Sequence, residues 1–305
     1  MNLLVGSTGF VGGHLVEYLF QQGEISKGTF RKGSHLKILD TNGVQGIEAD
    51  LMDHHGLHEA MEGVDAVYNL ASPMPGSDAD YRPNTEGLLN LLEVAAESKV
   101  RSFVHLSTVE VYGFGPKSVT LSTRFGPSNE YQRSKAEAER ILKEFSKRSS
   151  LPRVCVIRAA KAVGARDETL VTPILKMAES GKVVLPEGGV MSFSHPKDIS
   201  QAMYKASTKE LPSGTDFLVK SFDSTPLDLG RGITQALGKG EVKKQGPLSG
   251  STLPKYTAQQ LRAPVVVGEQ PNWKELGYAP AYTLDSTCEE IAAWYRKEPW
   301  VAEST

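Results

Sequence analysis

Cysteine is nearly absent from this chain: Cys155 and Cys288 are the two thiols among 305 residues. Two thiols cannot build the disulfide framework of a small secreted domain, and Cys155 falls in an apolar run where it reads as a small core residue. A reducing cytoplasm is the expected compartment. An excess of one charge is missing too. Lys plus Arg, 34, against Asp plus Glu, 36, gives −2, so no net field draws the chain to nucleic acid or to an anionic membrane. No basic leader and no run of about 18 apolar residues occurs, and the first strand begins at Asn2, which argues against secretion and membrane spanning. Internal repeats and low-complexity segments are lacking as well. What is present is an ordinary globular composition, 39% hydrophobic and 23% charged, long enough for one large domain with a second lobe. Small molecules are the expected partners.

The most informative stretch is the first. Asn2-Leu3-Leu4-Val5 reads as a buried strand, breaks into Gly6-Ser7-Thr8-Gly9-Phe10-Val11-Gly12-Gly13, and resumes as the helical pattern His14 to Leu19. A tight glycine turn between strand and helix presents bare backbone N–H groups and the positive end of a helix dipole, with no Cβ on Gly6 or Gly9 to hold a diphosphate away. That context is the one a dinucleotide fold requires, although an ordinary tight turn has the same glycines.

The next strand is expected to end at Phe30, so that Arg31, with Lys32 and Ser34 nearby, stands at its edge about 20 residues beyond the glycines, where an acid binds a ribose 2′-hydroxyl and an arginine accommodates a 2′-phosphate. Arg31 therefore argues for NADP. The competing reading puts a strand at Leu36 to Leu39 and makes Asp40 the ribose ligand of NAD; a third leaves Arg31 a solvated charge. Val44 to Ala49 reads as the third strand and ends at Asp50-Leu51, with Asp50 placed either to accept from an adenine amino group or to cap the next helix. That helix carries His54, His55 and His58. The one-turn spacing of His54 and His58 invites a metal reading, but no Cys or carboxylate at convincing spacing completes a set, so a solvated face and no metal are expected. Val64 to Ala71 is the fourth strand, and Ala71-Ser72-Pro73 leaves room for ribose and nicotinamide.

From Asn84 to Ser98 a helix is apolar on more than one side, as for burial in the chain or against a second subunit. The fifth strand, Ser102 to Leu106, delivers Ser107 and Thr108 to the tip that faces the ligand crevice of a parallel sheet. A polar loop, Phe114 to Asn129, is long enough to rim a substrate pocket. It ends at Tyr131-Gln132-Arg133-Ser134-Lys135, which sets Tyr131 and Lys135 one helical turn apart. Arg153 to Arg158 is the sixth strand. Beyond it come a helix led by Phe193 to Ile199, a strand at Phe217 to Val219, a helix at Leu227 to Leu237 and a closing helix around Trp294.

These residues resemble the extended short-chain dehydrogenase/reductases, also described as the NAD-dependent epimerase/dehydratase family. The likeness rests on Gly6-x-x-Gly9-x-x-Gly12, Asp50-Leu51, Asn84-x-x-Gly87, Ser107-Thr108 before Val111-Tyr112-Gly113, Tyr131-x-x-x-Lys135 and His195-x-x-Asp198, and it runs almost end to end. The resemblance implies Tyr131 as general acid/base, Lys135 as the group that orients the nicotinamide ribose and lowers the tyrosine pKa, and Thr108 as the hydroxyl that holds the reacting oxygen. Coulomb's law agrees with the pairing: an ammonium about 4 Å from a phenolate, at an effective dielectric near 20, contributes about 4 kcal/mol, or about three pKa units, while desolvation in a closed crevice pushes the opposite way and calls for the positive charge of oxidised nicotinamide as well. Two departures narrow the chemistry. Val109 replaces the acid of the dehydratases' Ser-Thr-Asp-Glu-Val-Tyr-Gly, so water elimination is not expected, and Lys161 stands where nucleotide-sugar enzymes usually place Asn.

The expected fold is α/β: a Rossmann-type doubly wound parallel sheet formed by residues 1–160 and 192–222, with a smaller α+β substrate lobe from 161–191 and 223–305. The dinucleotide, NADP in preference to NAD, is expected on Gly6, Thr8, Gly9, Phe10, Val11, Gly12, Arg31, Lys32, Asp50, Leu51, Leu70, Ala71, Ser72, Tyr131 and Lys135. The expected activity is hydride transfer to or from a small or medium carbonyl/alcohol substrate. The alternatives are a nucleotide-sugar epimerase and a dinucleotide sensor without catalysis. Relatives in such a family commonly pair as homodimers through the helices at 84–98 and 131–148.

Overall fold

Seven short segments, apolar at Asn2–Val5, Ala66–Asn69, Ser102–Thr108 and Arg153–Ala159 and more polar at Ser26–Phe30 and Gln45–Glu48 at one edge, become the strands of one parallel sheet. The structure, a computed structural model, describes residues 1–34, 36–75, 80–115, 117–245, 252–268 and 272–297. Its first half alternates β1 (Asn2–Val5), α1 (Phe10–Gln21), β2 (Ser26–Phe30), α2 (Lys37–Thr41), β3 (Gln45–Glu48), α3 (His54–Met61), β4 (Ala66–Asn69), α4 (Glu86–Glu97), β5 (Ser102–Thr108), β6 (Lys117–Val119), α5 (Glu130–Arg148) and β7 (Arg153–Ala159). The second half comprises β8 (Lys161–Ala162), α6 (Val171–Glu179), β9 (Lys182–Leu185), β10 (Met191–Ser194), α7 (Pro196–Thr208), β11 (Thr215–Val219), β12 (Phe222–Ser224), α8 (Pro226–Leu237), β13 (Glu241–Lys244), α9 (Lys255–Arg262), β14 (Val265–Val267), α10 (Trp273–Leu276) and α11 (Leu284–Lys297).

Seven strands pair in parallel in the order β11-β7-β5-β4-β1-β2-β3. The direction of winding reverses between β1 and β4, and such a switch point opens a crevice beyond the strand C-termini. Alternation along each strand feeds two cores. Leu4, Tyr68, Val104, Cys155 and Ile157 meet α1 and α7 on one face, while Leu3, Val67, Phe103, Val154 and Val156 meet α3, α4 and α5 on the other. The helix beginning near Asn84 is thus buried chiefly within the chain: Leu88, Leu91, Leu92, Val94 and Ala95 are inside, and Leu89, at 41% exposure, is the outward apolar residue. A third core joins α6, β9, α8, α9 and α11.

Three expectations change. No strand forms at Leu36 to Leu39; those residues lead into α2, where Leu39 is buried and Asp40 exposed, a helical rather than a period-two pattern. The loop from Phe114 to Asn129 contains β6, which pairs in parallel with β14 through Lys117↔Val265 and Val119↔Val267. The strand is only three residues long and its partner lies far along the chain, so nothing local announces it. Asp50 does not cap α3. That position belongs to Asp53, whose side chain accepts from the His55 N–H at 3.1 Å.

Candidate active site

The crevice is built on the glycine turn. Gly6 has φ +87°, and a Cβ there would stand 2.7 Å from Ala71 N, so only glycine lets β1 exit against the end of β4. A Cβ on Gly12 would lie 2.1 Å from the Gly6 carbonyl oxygen, which ties the first turn of α1 down onto the loop. Gly9 is the N-cap of α1, no side chain caps the helix, and its first turn holds no acid. First-turn N–H groups and the positive helix end are thereby left to a ligand, and they suit a diphosphate.

Beside this turn a cavity of about 200 Å³ is lined by Gly6, Thr8, Gly9, Arg31, Asp50, Leu51, Leu70, Ala71 and Ser72, all expected dinucleotide contacts. Phe10, Val11, Gly12, Lys32, Tyr131 and Lys135 are not part of its wall. Gly12 is buried behind the turn and Lys32 projects into solvent. Arg31 follows β2 directly, shares the cavity wall with Ser34, is exposed, and pairs with no carboxylate among the described residues. Asp50 accepts the Met52 N–H at 2.8 Å in a local turn.

The reactive side chains stand at the neighbouring strand tip. β5 extends through Thr108, whose Oγ1 accepts the Glu110 N–H at 3.2 Å and opens a short 3-10 turn over Val109–Tyr112. Ser107, on the opposite side of the strand, donates to Glu139 at 2.5 Å. Glu139 also accepts from Arg158 Nε at 2.8 Å, and Arg158 pairs with Asp216. Of the two hydroxyls, Ser107 is thus committed to a buried ionic cluster and Thr108 is on the other side.

Asn129 caps α5 by accepting the Gln132 N–H at 2.9 Å, which starts the helix just before Tyr131. Lys135, one turn on, is buried and donates to the Leu106 carbonyl at 2.8 Å, with His105 Nε2 3.5 Å away. Asn69 Oδ1 accepts the Ala71 N–H at 3.2 Å, which directs the Asn69 amide N–H toward His105 Nδ1, also at 3.2 Å. Burial, with the Lys135 charge, holds the His105 pKa well below its ordinary value. Desolvation likewise brings Lys135 down to about 8.

The Tyr131 pKa is raised, first by burial and then by the negative charge of Glu110, with the Ser72 side chain acting in the opposite sense. Of the two opposing effects expected at Tyr131, the Lys135 charge and desolvation, desolvation prevails. The ammonium is turned to a β5 carbonyl, so desolvation of the phenolate wins.

Glu110 introduces residues that the sequence did not single out. The Tyr256 hydroxyl and the Gln260 amide, both on α9, donate to its two carboxylate oxygens, and burial raises its pKa. The Tyr256 and Tyr81 rings flank Tyr131 at centroid distances of 5.8 and 6.0 Å, and Phe114 packs on Tyr256 at 5.6 Å. Lys161 donates to Thr169 Oγ1 at 3.3 Å, and its charge also acts on Glu110. The one available signal was Glu110 itself: an acid beside a crevice tip needs partners when buried. A larger cavity, about 650 Å³ between α5 and β7, contains none of Thr108, Tyr131 and Lys135 in its wall.

A model of the NAD dependent epimerase/dehydratase family matches residues 2–219. The uncharacterized protein YbjS of Escherichia coli K12 is 25% identical across 96% of this chain and 97% of its own length. The sterol-4-alpha-carboxylate 3-dehydrogenase, decarboxylating, of Dictyostelium discoideum is 28% identical over 55% of each chain. Among solved structures, UDP-glucose 4-epimerase from Bifidobacterium longum, in complex with NAD+ and UDP, superposes with a TM-score of 0.82 at 18% identity, covering 98% of both chains.

Proposed function

The chain belongs to the NAD dependent epimerase/dehydratase family, and from that premise we propose that it is an NADP-dependent reductase or dehydrogenase acting on a small or medium carbonyl/alcohol substrate. The observation that carries this reading is the glycine turn: Gly6, at φ +87°, and the uncapped N-terminus of α1 open onto a cavity whose wall includes Arg31 and Ser72. The uncapped α1 N-terminus and the Gly6 turn fit a diphosphate, and Arg31 fits a 2′-phosphate.

When bound, the dinucleotide supplies hydride chemistry at nicotinamide C4. In the reductive direction Tyr131 gives its phenolic proton to the substrate oxygen as the carbonyl carbon gains hydride; in the oxidative direction the phenolate takes that proton back. Thr108 Oγ1 holds the same oxygen. Positioned proton transfer of this kind is worth about 10² to 10⁴ in rate. Lys135 would hold the nicotinamide ribose once the dinucleotide is bound. The Tyr81, Tyr256 and Phe114 rings exclude water around Tyr131 and offer apolar walls to the substrate.

A nucleotide-sugar epimerase with tightly held cofactor is the second reading: Lys161 departs from the asparagine usual in nucleotide-sugar pockets, but its cation near Glu110 is able to meet a substrate phosphate. Purified protein given NADPH and a panel of aldehydes and ketones separates the two. The reductase consumes NADPH steadily, and Tyr131→Phe lowers the rate at least about 100-fold while still binding NADPH. Sugar-nucleotide interconversion without net NADPH loss replaces the reductase by the epimerase, and full activity in Tyr131→Phe removes the mechanism.

A further inference from the structure

The fold supplies the ligand that sequence spacing withheld from His54 and His58. These residues stand one turn apart on α3, their ring centroids 5.0 Å apart. Glu97, the last residue of α4, places Oε2 3.1 Å from His58 Nε2. One donor atom from each of the three side chains, two imidazole nitrogens and one carboxylate oxygen, lies within 4.8 Å of the other two. Donors bound about 2.0–2.2 Å from a tetrahedral zinc ion stand about 3.3–3.6 Å from one another, so small side-chain rotations close this set.

We propose that His54, His58 and Glu97 form a surface site for a divalent transition metal of the zinc class, with water in the fourth position. Two imidazoles and one carboxylate suit zinc, whereas magnesium and calcium need more oxygen ligands than are gathered here. All three side chains are exposed, so the ion enters without crossing the core. Glu97 pairs with no Lys or Arg among the described residues, and the neighbouring His55 is directed instead to Glu59, at 3.6 Å. His58 is in the last turn of α3, ahead of β4, and Glu97 ends α4, ahead of β5. His54 opens α3 and Glu97 closes α4, so a bound ion would clamp α3 to α4.

Titration calorimetry of untagged, metal-stripped full-length protein with zinc chloride tests the site, with thermal unfolding followed in parallel. One zinc per chain binds, and the Tm rises with zinc. His54→Ala, His58→Ala and Glu97→Gln each weaken binding at least about tenfold and remove the Tm rise, whereas His55→Ala changes neither. Far-UV circular dichroism and the zinc-free Tm of every variant, unchanged from wild type, report that it is folded. Stoichiometric zinc binding that survives the His54→Ala/His58→Ala double variant overturns the site, as does the absence of zinc binding to the wild-type protein. Magnesium chloride binding as tightly as zinc overturns the assigned ligand class.

Discussion

Removal of the Arg31 guanidinium tests the cofactor assignment most directly. Arg31 sits where β2 ends, in the wall of the cavity that begins at the glycine turn, and it pairs with no carboxylate among the described residues. No described internal ion pair is therefore lost when Arg31→Ala is made, and the change in affinity reads the ligand alone. A unit charge pair at about 4 Å contributes about 1 kcal/mol in water and about 4 kcal/mol near a protein surface, and a phosphate monoester carries about −1.5 to −2. Because Arg31 is exposed, the lower end applies, giving about 1.5–2 kcal/mol. That corresponds to a rise of about 10- to 30-fold in the NADPH dissociation constant. NADH has no 2′-phosphate and should change less than about twofold, so the preference collapses. Fluorescence titration of both nucleotides at low and high salt measures this, and the wild-type preference for NADPH should weaken as salt screens the exposed pair. Binding of NADH at least as tightly as NADPH by the wild-type protein, or an unchanged ratio in Arg31→Ala, refutes the assignment.

Two further predictions concern buried charge. Lys135 has its pKa brought down by burial from 10.5 to about 8, so below about pH 8 both folded and unfolded chains are protonated there and the folded state carries a penalty of about 3 kcal/mol. Lys135→Met, which also forfeits the bond to the Leu106 carbonyl, should be about 1–2 kcal/mol more stable than wild type at pH 7 in urea denaturation. Wild-type stability should then gain on the variant as pH rises from about 8 toward 10.5, where only the unfolded chain keeps the proton; a lysine variant less stable at pH 7, or a gap independent of pH, contradicts this. Arg158→Met leaves Glu139 buried without its cation and should cost about 3–5 kcal/mol by the same measurement, with Arg158→Met/Glu139→Met recovering much of the loss; equal stability of the single and double variants would remove the argument.

The parts of this molecule that were legible in its sequence are those whose physics is local. Gly6 needs a positive φ, Gly12 must approach a carbonyl, and Tyr131 and Lys135 share a helix face by spacing alone, so each can be inferred from a few neighbouring residues. Strand β2 ended at Phe30 for an equally local reason, since the helical burial of Leu39 left no competing strand at Leu36 to Leu39. What could not be inferred depends on long-range placement. Tyr256 and Gln260 reach Glu110 from α9, and β14 supplies the partner of β6, across separations that no periodicity records. The balance of charge and desolvation at Tyr131 has the same origin. The spacing of four set the two side chains on one face, but the direction of the Lys135 ammonium was decided by the Leu106 carbonyl on another element. With that ammonium turned away and the Glu110 charge nearby, the phenol is held protonated. The raised pKa keeps the phenol protonated but makes it a weaker acid, so proton donation at neutral pH needs the bound ligand to bring that pKa back toward the working pH.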